Sequence, residues 1–333
     1  MQSQVITLAQ RPSGLLQTAD FTAGTMELPE LGAGQVLVAS RYLSIDPYQR
    51  GLLDEVPFVG QPVPIGGVVA GRGIGEVLES RTEAFKPGDL VAGELGWRSH
   101  SVHATYAVQP VVRGMHPVTW QLGVLGTPGS TAWLALRRIA EPKSGEVVVV
   151  SSAAGTVGAA AGQIAKAMGC KVIGIAGGPR KGDLICTALG FDAAIDHRPA
   201  ERLPLAVGEK CPGGVDIYFD NVGGRMLDIV LQAMKPQGRI VVCGYLSGYE
   251  PGQPYPGLAN AKLISFHRLK VQGFSVRDHV ADHAAAAQAL HALADAGKLR
   301  QIDTLCDGLA SAPGALVGLL RGSMVGKVIV ACR

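Results

Sequence analysis

The run VVVVSSAAGTVGAAAGQIAKAMG, residues 147–169, constrains the fold of this 333-residue chain more than any other stretch. Four consecutive valines indicate a strand that is buried on both faces, and the alanine-rich stretch that follows is typical of a helix. The Ser-Ala-Gly segment between them leaves room only for a tight turn. A buried strand, a turn and a helix in direct succession predict the first unit of an α/β fold with a parallel sheet.

The turn nearly matches G-x-G-x-x-G, the pattern with which such units hold the pyrophosphate of a dinucleotide. Gly155 and Gly158 occupy the second and third glycine positions, and Ala153 stands at the first. Gly155 would let the backbone approach a pyrophosphate, and Gly158 would let the helix pack closely on the strand. The first glycine mainly shapes the turn, so alanine there is tolerable. We predict a dinucleotide site, the alternative being a small-residue packing site without a ligand.

Strands and helices alternate from residue 146 to residue 275, which predicts a doubly wound sheet of six parallel strands. Helices are expected at 157–168, 180–190, 224–235 and 282–296. The expected strands are VVVVSS (147–152), KVIGIA (171–176), AAID (193–196), VDIYFD (215–220), RIVVCG (239–244) and KVQGFS (270–275).

The first 120 or so residues are instead rich in valine, glycine and proline in short runs, which predicts β structure with glycine bends. The final segment, GKVIVACR, is also strand-like, and we expect it to return to this β-rich part. The expected domains are therefore 1–122 with 298–333, and 123–297 inserted between them.

The end of the second strand indicates which dinucleotide is bound. An NAD enzyme places an acidic residue about 20 residues beyond the glycines, where it binds the ribose hydroxyls. This window reads IAGGPRK, with Arg180 and Lys181 and no acid. Two cations would attract a ribose phosphate, so we predict NADPH; the alternative is a pair of solvated cations at a helix start.

Composition excludes several classes of function. The net charge of +3 and the dispersed basic residues do not favour nucleic acid binding. No run approaches about 18 apolar residues, and the N-terminus lacks the apolar stretch of a signal peptide. The six cysteines form no C-x-x-C pair, and His279 with His283 more plausibly occupies a solvated helix face than a metal site. We expect a cytoplasmic enzyme without metal, membrane or nucleic acid.

Several segments together resemble the zinc-free branch of the medium-chain dehydrogenase/reductase superfamily, which contains prostaglandin reductases, alkenal double-bond reductases and curcumin-reductase-like proteins. The resemblance covers nearly the whole chain. It is carried, in the order of the family, by YLSIDPYQRG, GVLGTPGSTAW, AAGTVGAAAGQIAKAMGCKVIGIAGG, GFDAAID, FDNVGG, GRIVVCGYLSGY and VQGF.

The resemblance implies a split GroES-like β-rich catalytic domain, a Rossmann domain and a cleft between them. It implies NADPH-dependent reduction of the carbon–carbon double bond of α,β-unsaturated aldehydes and ketones, in a homodimer. Tyr48, Tyr249 and Phe274 would line the substrate pocket. The implied cofactor residues are Gly155, Thr156, Val157, Gly158, Gly177, Lys181, His197, Asn221, Cys243, Gly244, Tyr249, Phe274, Ser275 and Met324.

Some positions depart from the family pattern. His197 replaces a tyrosine on the adenosine side, Met324 replaces the asparagine of the K-N-x-G-K motif, and Gln301 replaces the tyrosine of K-Y-x-E. GGVVAG stands where zinc-dependent relatives have G-H-E, and the expected first domain contains no cysteine before residue 298. A three-ligand zinc site cannot be built from such residues.

Reduction of a conjugated double bond needs a hydrogen-bond donor at the carbonyl oxygen, where negative charge develops as an enolate. A phenol is neutral at pH 7 and can donate, so Tyr249 is the expected catalytic residue; the alternative is a tyrosine that only packs. Two other functions remain open: an NADPH-dependent quinone reductase, and an NADPH-binding sensor or structural protein without turnover.

Overall fold

The computed structural model describes residues 1–57, 60–111, 114–249 and 257–332. The contacts between residues divide the chain into two compact units, Met1–Leu122 with Asp303–Arg333, and Gly123–Ile302. We call them the β-rich unit and the nucleotide unit. Strands and α-helices are numbered along the whole chain.

The sheet of the nucleotide unit has six strands in the order β10-β9-β8-β11-β12-β13, in the part of the chain that the structure describes. All neighbouring pairs are parallel. This is the doubly wound order predicted from the sequence, with the first strand beside the fourth. The strands are β8 (Val147–Ser151), β9 (Lys171–Ala176), β10 (Ala193–Asp196), β11 (Val215–Asp220), β12 (Met234–Val242) and β13 (Lys270–Gly273).

Helices cover this sheet, and their packing explains the apolar strands. Val148, Val149 and Val150 are fully buried, as expected of a central strand with both faces covered. A short π-helical turn, Leu136–Ala140, follows the first helix. The helices are α2 (Thr127–Ala135), α3 (Thr156–Ala167), α4 (Pro179–Leu189), α5 (Leu203–Lys210), α6 (Gly224–Leu231), α7 (Lys262–Phe266) and α8 (His283–Asp295).

The sequence prediction was wrong at the join between α6 and β12. The helix expected over 224–235 ends at Leu231, and the strand expected from 239 begins at Met234. Pro236 cannot continue a helix, and Gln237 has a φ of 64°, so the chain turns into extended structure early. The register of β12 on β11 shifts between Val215 and Ile217 to absorb this irregular start.

The β-rich unit contains a seven-stranded sheet in the order β14-β15-β3-β4-β5-β7, with β6 paired to β3, and a separate antiparallel ribbon of β1 and β2. The α-helices in the described part of this unit are α1 (Tyr48–Leu52) and α9 (Ala312–Leu320). Its strands are β1 (Gln2–Leu8), β2 (Phe21–Glu27), β3 (Gln35–Ile45), β4 (Arg72–Ser80), β5 (Leu90–Glu94), β6 (His100–Ala104), β7 (Val108–Pro110), β14 (Asp303–Asp307) and β15 (Lys327–Ala331).

The last strand does return to the β-rich unit, where β15 pairs with β3 and β14. The expected boundary at residue 298 is displaced, because the units divide between Ile302 and Asp303. The intervening segment is fixed to the nucleotide unit: the side-chain amide of Gln163 pairs with the backbone of Arg300 at 2.8 and 3.0 Å. Gln301, the residue that departs from the family's tyrosine, accepts a hydrogen bond from the N–H of Val124 at 2.7 Å.

A helix long and apolar enough to cross a bilayer is not found among the described residues.

Candidate cofactor-binding and active site

The turn between β8 and α3 explains why the fingerprint accepts alanine. The left-handed residue is Ser152, with a φ of 50°, whereas Ala153 has no positive φ and is fully buried. The position that resembles the first glycine therefore does not need glycine here. Ser152 closes the turn by accepting a hydrogen bond from the N–H of Gly155 at 2.9 Å.

The two glycines of the turn have different structural roles. Gly155 is the N-cap of α3, with a φ of −84°, and a Cβ added there would lie 3.0 Å from the Ser152 hydroxyl and 3.2 Å from the Ser152 carbonyl oxygen. A Cβ at Gly158 would lie 2.3 Å from the carbonyl oxygen of Ser152, a backbone atom that cannot move aside. Gly158 is thus needed for packing, whereas Gly155 keeps the approach to the helix start open.

The first turn of α3 presents N–H groups suited to an anion. Thr156 and Val157 are half-buried there, the turn contains no acidic residue, and no side chain caps the helix. The first N–H to bond within the helix is that of Ala159, which donates to the Gly155 carbonyl. The N–H groups before it carry the positive end of the helix dipole.

A fully buried carboxylate organises the next strand end. One oxygen of Asp220 accepts hydrogen bonds from the hydroxyls of Ser151 and Tyr218, at 3.1 and 2.9 Å. The same oxygen accepts from the N–H groups of Val222 and Gly223, each at 3.0 Å. Burial raises the pKa of Asp220, and these hydrogen bonds partly offset that effect. The carboxylate therefore holds the turn after β11 in shape.

Asn221 is fixed in the same turn. Its N–H donates to the Ser151 hydroxyl at 2.8 Å, and its side-chain amide donates to the Ser151 carbonyl at 2.7 Å. The turn after β11 is therefore tied to the end of β8, just before the Gly155 turn. Asn221 is 8% exposed, so only its edge is open to a ligand.

Residues 243–249 lie against this turn. The N–H groups of Cys243 and Gly244 donate to the Asp220 carbonyl, and a Cβ at Gly244 would lie 2.8 Å from the Asn221 carbonyl oxygen. Burial, with a smaller contribution from Asp220, raises the pKa of the Cys243 thiol to about 12. This thiol is therefore unreactive at neutral pH.

Tyr249 ends a 3-10 turn, Leu246–Tyr249, and is half-buried. The turn is anchored through Ser247, whose N–H and hydroxyl both donate to the Val222 carbonyl, at 3.0 and 2.7 Å. Tyr249 thus belongs to a segment that is hydrogen-bonded to the Asn221 turn. Its role as an oxyanion donor stays a prediction.

The ends of β9 and β10 bring several ionisable groups to one place. A Cβ at Gly177 would lie 3.1 Å from Nε2 of His197 and 3.2 Å from Nε of Arg198. Burial lowers the pKa of Lys181, and repulsion from Arg198 lowers it further. Burial likewise lowers the pKa of His197; Asp196 opposes that shift, and Arg198 and Lys181 reinforce it. The predicted residues Gly177, Lys181 and His197 are therefore neighbours.

Phe274 follows β13 and is held from two sides. Its N–H donates to the Val242 carbonyl at 3.0 Å, and its ring stacks on His279 with the ring centres 5.1 Å apart. His279 lies 3.8 Å from Asp282, which also accepts two hydrogen bonds from Arg138. Ser275 follows as the exposed N-cap of the next 3-10 turn.

The two remaining predicted residues lie in the β-rich unit. Tyr48 begins α1, and both Tyr48 and Met324 are partly buried against the core of that unit. Just before Tyr48 in the chain, Asp46 and the Ile45 carbonyl accept hydrogen bonds from the buried Lys327, at 2.5 and 3.4 Å. A Cβ at Gly318 would lie 2.6 Å from Cε of Met324, so this methionine packs on α9.

Three contributors were missed by sequence reasoning. Asp220 was read only as part of strand 215–220 and of the FDNVGG segment, yet its side chain accepts hydrogen bonds from Ser151, Tyr218, Val222 and Gly223. Asp196 and Arg198 lie beyond the window that follows the second strand. The sequence contained a signal for all three residues, because the carboxyl ends of adjacent parallel strands meet at one edge of a sheet.

Metal-ligating side chains are not clustered in the described part of the chain, where three or more His, Cys, Asp or Glu nowhere come together as a group. His279 stacks on Phe274, and His283 contacts the Val276 carbonyl. These two histidines therefore have partners within the fold.

Comparisons with known proteins agree with this architecture. A family model described as the N-terminal domain of oxidoreductase matches residues 4–111, and one described as zinc-binding dehydrogenase matches residues 156–295. The NADPH-dependent curcumin reductase of Escherichia coli is 37% identical over 330 residues, covering 97% of this chain and 95% of the relative. The NADP(+)-dependent 2-alkenal reductase of Nicotiana tabacum is 39% identical over 308 residues, covering 92% and 89%.

A solved structure, CurA from Vibrio vulnificus in complex with NADPH, matches with a TM-score of 0.93 and 34% identity over 99% of both chains. Likeness of sequence and fold along nearly the entire chain goes beyond a shared nucleotide-binding motif. The chain belongs to the zinc-free branch of the medium-chain dehydrogenase/reductase superfamily, the branch of the curcumin, alkenal and prostaglandin reductases.

Proposed function

We propose that this protein is an NADPH-dependent oxidoreductase that reduces the carbon–carbon double bond of α,β-unsaturated aldehydes and ketones. The observation that carries the proposal is the nearly full-length similarity to a curcumin reductase and a 2-alkenal reductase, both of which use NADP. A 2-alkenal has its double bond conjugated to a carbonyl, which defines the substrate class.

The residues present fit NADPH. The first turn of α3 contains no acidic residue, and no side chain caps it, which suits a pyrophosphate. Gly177 leaves space beside His197 and Arg198, and Lys181 lies close enough to Arg198 for their charges to interact. A phosphate on the adenosine ribose would match these cations, whereas the unphosphorylated ribose of NAD would bring no charge to them.

When bound, NADPH would supply a hydride to the β carbon of the conjugated system, and the resulting enolate would take a proton from water at its α carbon. The residues of the chain then have to stabilise the negative charge on the carbonyl oxygen, and Tyr249 is the proposed donor to that oxygen. Asn221 donates hydrogen bonds to Ser151, and the N–H groups of Val222 and Gly223 donate to Asp220, so the turn on which the Tyr249 segment rests is fixed. Phe274 and Tyr48 are proposed to contact the apolar part of the substrate.

The test is a substrate panel of 2-alkenals, open-chain enones, ring enones and quinones, followed by the loss of NADPH absorbance. The proposal expects turnover with enals or enones, a saturated carbonyl product, and a clear preference for NADPH over NADH. Turnover confined to quinones would select the quinone reductase instead. Tight NADPH binding without turnover on any member would indicate a sensor or structural protein.

We also propose a homodimer formed through the open edge of the nucleotide sheet. All four residues of the edge strand β13 are exposed, and Phe266 nearby is 66% exposed. Among the described residues β13 pairs with β12 alone, and an edge strand of this kind is a surface that natural proteins cover. Light scattering at micromolar concentration should give twice the chain mass of 34.5 kDa, and the monomer mass would refute the proposal.

A cytoplasmic location completes the proposal. The six cysteines are free thiols, in keeping with a reducing compartment. Fractionation of cells that express the tagged protein would test it, and recovery outside the cytoplasm would contradict it.

A further inference from the structure

Arg198 lies across the Gly177–Gly178 turn, at the start of α4. Its Nε is 3.2 Å from the position that a Gly177 Cβ would take, and its Cζ and one terminal nitrogen are 3.1 and 2.8 Å from that of Gly178. The guanidinium therefore occupies the space that the two missing side chains leave. Gly178 also has a φ of 86°, so the turn itself favours glycine there.

Asp196 fixes this arrangement through the backbone. One oxygen of its carboxylate accepts the N–H of Gly178 at 2.7 Å and the N–H of Arg198 at 3.0 Å. The turn after β9 and the residue after β10 are thereby joined. Burial alone would raise the pKa of Asp196, but these two hydrogen bonds hold it below its ordinary value. The carboxylate is therefore ionised and occupied by N–H groups.

Arg198 itself is exposed and, among the described residues, forms no ion pair with a carboxylate. Lys181 is close enough for the two charges to repel each other, as the lowered pKa of Lys181 indicates. The fold thus brings two cations together at the end of the second strand. A dianion placed between them would relieve this repulsion.

We propose that Arg198 determines the preference for NADPH by binding the 2′-phosphate of the adenosine ribose, with Lys181 as the second cation. This inference rests on the proposed function. A guanidinium is planar and presents parallel N–H groups that match two phosphate oxygens, whereas an ammonium acts as a point charge. Arg198 is on this view a specificity-determining residue, and the Gly177–Gly178 turn provides the space that it needs.

The experiment measures dissociation constants of 2′,5′-ADP and 5′-AMP by calorimetry, because these probes differ at the 2′-phosphate and need no turnover. The variants are Arg198→Ala, Arg198→Lys and Lys181→Ala. Arg202→Ala is the matched control, an exposed arginine whose loss removes the same charge four residues further on. Melting temperatures of all variants establish that they are folded.

Arg198→Ala should weaken 2′,5′-ADP by roughly tenfold to a hundredfold, the effect of losing a charged hydrogen bond, and leave 5′-AMP unchanged. Arg198→Lys should recover part of the loss, and Arg202→Ala should bind like the wild type. An equal loss of both probes would mean that Arg198 stacks on the adenine, which overturns the proposal. Unchanged 2′,5′-ADP binding in Arg198→Ala, with a loss only in Lys181→Ala, would overturn it too.

The wild type separates this failure from failure of the proposed function. If the wild-type protein binds 2′,5′-ADP no better than 5′-AMP, the NADPH preference itself is wrong. If the wild type prefers 2′,5′-ADP and Arg198→Ala keeps that preference, only the assignment of Arg198 is wrong.

Discussion

Substituting alanine for Gly155 and for Gly158 should separate cofactor binding from packing in a single turn. At Gly158 the new Cβ would lie 2.3 Å from the Ser152 carbonyl oxygen, and relief of that contact requires α3 to move by about 1 Å. At Gly155 the new Cβ would lie 3.0 Å from the rotatable hydroxyl of Ser152 and 3.2 Å from its carbonyl oxygen, contacts that a shift of a few tenths of an ångström relieves, and a φ of −84° suits alanine. The same methyl group is therefore added to two different environments.

The magnitudes follow from these contacts. Overpacking against backbone costs up to about 3 kcal/mol, and alanine returns about 1 kcal/mol of helix propensity, so Gly158→Ala should lower the free energy of unfolding by about 2 kcal/mol. That corresponds to a fall in melting temperature of roughly 4–8 °C. Gly155→Ala should change the free energy of unfolding by less than about 1 kcal/mol. Its methyl group would instead obstruct the pyrophosphate and weaken NADPH roughly 5- to 150-fold.

The assay combines melting without NADPH, because bound ligand itself raises the melting temperature, with calorimetric titration of NADPH. Gly155→Ala should keep the wild-type melting temperature and lose affinity, whereas Gly158→Ala should lose both. A wild-type melting temperature in Gly158→Ala would refute the packing argument. Unchanged NADPH affinity in Gly155→Ala would show that the pyrophosphate does not approach this turn.

Three further predictions concern other residues. Tyr249→Phe should lower turnover about tenfold to a hundredfold while NADPH affinity and melting temperature stay unchanged, whereas Tyr48→Phe should mainly alter KM. If Tyr249→Phe turns over normally when an isotope effect with deuterated NADPH shows that hydride transfer is rate-limiting, Tyr249 is not part of the mechanism. Asp220→Leu should lower the free energy of unfolding, measured by chemical denaturation, by about 3–5 kcal/mol, because four donors lose their acceptor. Asp220→Asn should lower it much less, because the amide carbonyl can replace the shared oxygen, and equal losses in the two variants would contradict this account. Burial lowers the pKa of His197, and the nearby Arg198 and Lys181 lower it further against the opposing effect of Asp196, so below pH about 6.5 the unfolded chain binds more protons than the folded chain. The melting temperature of His197→Gln should therefore fall less than that of the wild type between pH 7 and 5.5. Parallel curves for the two proteins would refute this prediction.

The sequence by itself determined the doubly wound sheet, because the information is local. Runs such as VVVV and the alternation of apolar strands with helices are written in neighbouring residues, and topology rules then leave one common strand order. The turn of small residues before α3 was likewise recognisable. Within this sheet, the prediction failed at the end of α6 and the start of β12, where Pro236 acts on a helix several residues before it.

Only the tertiary structure decided which side chains share the strand ends. Ser151, Asp220 and Asn221 form one buried network although some 70 residues separate Ser151 from the other two. Arg198 and Gly178 meet because two parallel strands end at the same edge. The boundary at 302 depends on Gln163 and Val124, which pair with Arg300 and Gln301 from far along the chain. Such contacts depend on register and on the path of the backbone in three dimensions, and periodicity in the sequence carries no information about either.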